Sequence, residues 1–145
     1  WSFKYPNIKE EIEIGEFSVH GQGSALTIIS YGNGFYLSMQ AKDEIEKVLN
    51  KKIKIIDLRW LSDMNIANLL EANGKCSKIL IIDECRKNGC YGEGLVSDIL
   101  TATKNPLNIR LHAAENSFIP LGEAANVTLP SKESIIEQAL ELYNE

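Results

Sequence analysis

Residues 78–94, KILIIDECRKNGCYGEG, constrain this chain more than any other stretch. Ile79, Leu80, Ile81 and Ile82 form an unbroken apolar run, and a strand apolar on both faces belongs in the middle of a sheet covered from both sides. Charged residues follow at once, Asp83, Glu84, Arg86 and Lys87, and then Gly89, Gly92 and Gly94. Beyond them Leu95, Val96, Ile99 and Leu100 recur at helical spacing. Strand, glycine-bearing turn and helix make one βα unit. In open α/β sheets, ligands and partners are met at the carboxyl ends of such strands, so Asp83, Glu84 and Arg86 form the candidate interaction turn. The competing reading is that the charges solvate the turn and the glycines let it bend.

The rest of the chain repeats this alternation. Residues 1–23 read as a linker, with a break at Pro6 and acids at Glu10, Glu11 and Glu13, ending in a short edge strand through Phe17 and Val19. Residues 24–145 read as one α/β domain. Strands are predicted at 26–31, 53–58, 79–83 and 108–113, with a last short one at 127–129. The first helix follows Gly32, Asn33 and Gly34, with Met39, Ala41, Ile45, Val48 and Leu49 near one face and Lys42, Asp43, Glu46 and Lys47 on the other. Ser62 or Asp63 is the expected cap of a short helix through Ile66, Leu69 and Leu70 that Gly74 stops. Pro130 and Ser131 open a final helix with Ile135, Ile136, Ala139, Leu140 and Tyr143 on one face. Alternating strands and helices predict a three-layer α/β/α fold on a mostly parallel sheet of about five main strands.

Several function classes drop out. No apolar run approaches the roughly 20 residues of a membrane helix. The net charge of −5 offers no basic face for a nucleic acid. Cys76, Cys85 and Cys90 fit neither a zinc ribbon nor a C-x-x-C pair and read as reduced thiols of a cytoplasmic protein. The chain starts at Trp1 without a signal-like leader, so the sequence reads as a piece of something longer.

Catalytic patterns are missing as well. GQGSAL precedes a strand where a dinucleotide fingerprint must follow one, and GNGFYL lacks the third glycine in register. His20 and His112 lie in no metal or nucleophile motif, and His112 reads as a packed or edge residue. Cys85 reads as an unreactive thiol, and no serine sits in a G-x-S-x-G elbow. Asp83 and Glu84 point opposite ways if their strand persists. No catalytic, cofactor-binding or metal-binding residue is therefore assigned. The loop around Phe118, Ile119, Pro120 and Leu121 is too irregular for a core strand and too apolar to leave in water. It either tucks under the sheet or meets another chain, and Phe118, Ile119 and Leu121 are the candidate subunit contact.

LTIISYGNG before a helix, IDLRWL, IIDECR with GEG after it, and SFIPLGEAANVTLP occur in that order. Together they resemble the carboxyl-terminal domain of the beta part of thiamine-diphosphate-dependent 2-oxo acid dehydrogenases, of the branched-chain (2-oxoisovalerate) or pyruvate type. The chain departs from the family pattern after Ser62, with Asp63, Met64 and Asn65 where the family commonly has Pro, Leu and Asp, and after Gly89, with Cys90 and Tyr91 where the family often has a second glycine. The resemblance implies a five-stranded sheet with one antiparallel strand. It also implies that thiamine diphosphate and Mg are held by the parent enzyme and not by this domain alone. The implied partners are upstream thiamine-binding domains or an alpha subunit, the acyltransferase core of the complex, and further copies in a homo-oligomer. Two alternatives stand beside it: the same domain of another transketolase-like thiamine enzyme, and a free-standing binding or assembly module that uses the turn at 83–94.

Overall fold

A computed structural model describes residues 12–145, and much of the expected linker lies outside that range. The elements run β1 (Phe17–His20), β2 (Thr27–Ser30), α1 (Gly32–Leu49), β3 (Lys54–Leu58), α2 (Ile66–Asn73), β4 (Lys78–Arg86), α3 (Tyr91–Ala102), β5 (Asn108–Ala114), a 3-10 segment at Gly122–Val127, and α4 (Lys132–Asn144). The five strands form one sheet in the order β1-β3-β2-β4-β5. β1 pairs antiparallel with β3, and all other pairs are parallel.

Both faces of the sheet are covered, as the apolar run of β4 requires. Ile28, Ile55, Leu80 and Ile82 meet Ala41 and Ile45 of α1 and Ile135, Ala139 and Leu142 of α4. On the opposite face Ile29, Ile56, Ile79 and Ile81 meet Leu69 of α2 and Leu95 and Ile99 of α3. From β2 the chain crosses over α1 to β3 on one side, then over α2 to β4 on the other. The carboxyl ends of β2 and β4 therefore flank the point where the winding reverses, the place where open α/β sheets form a crevice.

Several expectations are corrected. No strand forms at 127–129: Gly122–Val127 winds into 3-10 geometry, and the Thr128 and Leu129 amides bond back to Ala125 O. α1 starts at Gly32 itself, and its buried line runs Gly34, Ser38, Ala41, Ile45 and Glu46, leaving Met39 and Val48 exposed. The cap of α2 is Asn65, whose side chain accepts the Asn68 N–H at 3.1 Å, in place of Ser62 or Asp63. α4 buries Leu142 where Leu140 and Tyr143 were expected. Its start is as read, with Ser131 and Ser134 bonding each other's backbone in a capping box. No described helix is long and apolar enough to cross a membrane.

Candidate functional site

The crevice between β2 and β4 is built on Asp83. It is 1% exposed near the end of β4, and a buried carboxylate needs donors around it. Its Oδ1 accepts the Tyr31 hydroxyl and the Cys85 N–H, both at 2.8 Å. Its Oδ2 accepts the Gly92 N–H at 2.8 Å. Tyr31 is the residue before α1, and Gly92 lies in the first turn of α3. Asp83 thus ties the end of β2, the end of β4 and the start of α3, satisfying one of the amides that a helix start leaves unpaired.

The neighbours complete this brace. Burial, and then the hydrogen bond to Asp83, push the Tyr31 phenol far above its usual range, so it acts as a donor and not as a base. Its ring meets Tyr91 edge-on, with centroids 6.1 Å apart. Ser30 Oγ donates to Ile82 O at 3.0 Å across the two strands. A Cβ on Gly34 would lie 2.5 Å from that Oγ, so only glycine lets α1 start this close to the sheet. Glu84 points away from Asp83 and accepts from Asn33 Nδ2 at 2.9 Å. Arg86 is exposed at the end of the strand.

Chemically this is a set of held groups. Cys85 is exposed, with its sulfur 3.9 Å from the Tyr31 hydroxyl, while Cys76 and Cys90 are buried, and all three are free thiols. Burial raises the Cys90 thiol. His112 Nε2 lies 2.8 Å from Ser134 Oγ between β5 and α4, and burial lowers its pKa against the pull of Glu137 and Glu115. His20 sits beside Ser18 Oγ at 2.8 Å and against the Phe35 ring. Among the described residues no three His, Cys, Asp or Glu are grouped to hold a metal ion.

The apolar loop is a separate feature on the same rim of the sheet. Its ends are tied by Glu115 N donating to Thr128 O at 2.8 Å. Phe118 is 91% and Leu121 95% exposed, so these side chains do not tuck under the sheet. Ile119 and Val127 are exposed beside them. Two residues of these features had no sequence signal: Tyr31 reads as the end of an apolar strand, and Val127 as part of a strand that does not form.

The sequence profile of the family described as the transketolase C-terminal domain matches residues 15–129. The beta subunit of the pyruvate dehydrogenase E1 component from Staphylococcus epidermidis is 30% identical over 136 residues, covering 92% of this chain and 42% of that protein. Its counterpart from Staphylococcus aureus is 29% identical over 140 residues, covering 94% of this chain and 42% of that protein. Among solved structures, a split-gene transketolase in an inactive beta4 tetramer matches with a TM-score of 0.73 at 18% identity, covering 97% of this chain and 46% of that one. The 2-oxoglutarate:ferredoxin oxidoreductase from Magnetococcus marinus matches with a TM-score of 0.62 at 18% identity, covering 88% of this chain and 20% of that one. The chain spans about two fifths of the length of the pyruvate dehydrogenase relatives it matches.

Proposed function

The chain belongs to the transketolase C-terminal domain family, and from that premise we propose that it serves a decarboxylating 2-oxo acid dehydrogenase as an assembly and docking domain. The parent is a beta or fused alpha–beta component, and this part contributes no catalytic group. The observation that carries the reading is the loop at 115–128, which presents Phe118 and Leu121 almost fully to solvent. An apolar cluster of this kind on a folded domain marks a contact with another chain.

The brace at the crevice supports the non-catalytic part of the reading. A diphosphate with Mg needs free carboxylate oxygens and a cradle of free amides. Here both Asp83 oxygens already accept donors of the same chain, and the Gly92 amide is spent on one of them. The crevice does not fit that group. Thiamine diphosphate and Mg belong to the upstream thiamine-binding domains or to an alpha subunit. Phe118, Ile119 and Leu121 are the subunit contact, and Glu84 and Arg86 are the groups of the crevice turn presented to the partner. The acyltransferase core is a further partner, and the free thiols suit a cytoplasmic complex.

The test has two arms. Supplied with thiamine diphosphate, Mg and pyruvate or a branched-chain 2-oxo acid, the 145-residue chain releases no carbon dioxide. In the complete parent enzyme, Phe118→Ser with Leu121→Ser yields smaller assemblies by light scattering while the helical circular dichroism signal stays. Turnover by the isolated chain, or a full-sized assembly carrying both substitutions, overturns the reading.

A further inference from the structure

Cys85 and Cys90 flank the turn between β4 and α3, and Asp83 draws the two ends of that turn together. Its single carboxylate accepts the Cys85 N–H on Oδ1 and the Gly92 N–H on Oδ2, both at 2.8 Å. The main chain at 85 and at 92 is therefore held on either side of one carboxyl group. The Tyr31 hydroxyl, also on Oδ1, lies 3.9 Å from Cys85 Sγ, and its ring meets that of Tyr91, the residue after Cys90. Burial raises the Cys90 thiol, the Glu93 amide pulls it back, and the Asp83 carboxylate raises it again, so this thiol too stands beside the acid. Between the two cysteines Arg86, Lys87, Asn88 and Gly89 are all exposed. Gly89 has a φ of +82°, and a Cβ there would meet nothing within 4 Å. The turn has room to tighten.

The thiols differ in access. Cys85 is exposed, Cys90 is 6% exposed, and Cys76, at 1%, lies before the other end of β4. We propose that Cys85 and Cys90 are a redox pair that a low-molecular-weight disulfide converts into a bond across the turn, locking the end of β4 to the start of α3. A disulfide needs its two Cα atoms within roughly 7 Å, and a turn pinned at both ends by one carboxylate is short enough to supply that. The Cys85 thiolate attacks one sulfur of the oxidant, forming a mixed disulfide and releasing one thiolate. Cys90 then loses its proton to water, and its thiolate attacks Cys85 Sγ and expels the second. The two protein thiols give up two protons and two electrons, and the oxidant becomes two free thiols. In a reducing compartment such a bond is transient and reports an oxidant. The locked turn presents Glu84 and Arg86, the groups assigned above to the partner, but the bond itself does not depend on that assignment.

The probe is glutathione, applied to the 145-residue chain in buffers of fixed reduced-to-oxidised ratio and read by intact mass and peptide mapping after acid quenching. The expected product is the chain less two hydrogens, with Cys85 linked to Cys90 and Cys76 free. Cys90→Ser places a good capping residue at the start of α3, and this variant stops at a glutathione adduct on Cys85. Cys85→Ser takes neither bond nor adduct. Cysteines this close in sequence can also pair in an unfolded chain, so the equilibrium is repeated in urea. The folded chain is expected to form the bond at least about tenfold more favourably, because the fold raises the effective concentration of one thiol at the other. A lasting adduct on Cys85 in the parent chain, a link through Cys76, or an equal constant in urea overturns the proposal. So does a chain that stays fully reduced under excess oxidised glutathione.

Discussion

At the scale of single residues, Glu46 shows how a charge becomes structural. It lies on α1 and is 7% exposed, so burial alone would raise its carboxyl. Hydrogen bonds from Lys52 Nζ at 2.5 Å and the Ile53 N–H at 3.1 Å, with Lys42 Nζ at 3.0 Å, reverse this and hold the pKa down to about 2. A carboxyl depressed in the folded state stabilises it above the ordinary value of 4.5, and that stability is lost as pH falls toward 2. Glu46→Gln therefore lowers stability at pH 7 by about 1–3 kcal/mol, and urea unfolding of the variant changes less between pH 4.5 and 2 than that of the parent chain. Equal acid sensitivity in the two chains would contradict this. The sequence shows Lys42 and Glu46 at helical spacing, but it places Glu46 on the solvent face. The Lys52 and Ile53 donors arrive only when the chain turns back into β3, a tertiary event that periodicity does not register.

At the scale of elements, the glycines after β4 separate two roles that read alike in the sequence. Gly92 and Gly94 both fall in the first turn of α3. A Cβ on Gly92 would lie 2.5 Å from Leu111 Cδ1 and 3.3 Å from Asp83 Oδ2, whereas one on Gly94 meets nothing within 4 Å. Gly92→Ala pushes α3 off the sheet and is expected to lower stability by about 1–3 kcal/mol, in the range of overpacked sites. Gly94→Ala raises stability by up to about 1 kcal/mol through helix propensity alone. Thermal unfolding of the two variants checks the pair, and a shift of the same sign in both would contradict the account. The five strands that form and the order of helices were legible because apolar runs and turn residues are local, whereas the short strand expected at 127–129 is replaced by 3-10 geometry at Gly122–Val127. The start of α1 at Gly32, the Asn65 cap and the exposed face of Met39 and Val48 were not, because close packing across the sheet decided them.

At the scale of the whole molecule, the winding of the sheet reverses between β2 and β4, and the residues that meet there are engaged with one another. A sequence reading locates that crevice from the strand, turn and helix of residues 78–94. It does not reveal that Tyr31, 52 positions away from Asp83, closes it from inside. Exposed apolar surface lies at the loop beyond β5, the contact proposed for another chain. On the proposed reading, the domain joins a larger enzyme whose cofactor is held elsewhere. The most direct test is calorimetric titration of thiamine diphosphate with Mg into the 145-residue chain and, in parallel, into the complete parent enzyme with its partner subunit. The account predicts saturable heat from the complete enzyme and none from the isolated chain; saturable binding by the isolated chain would contradict it.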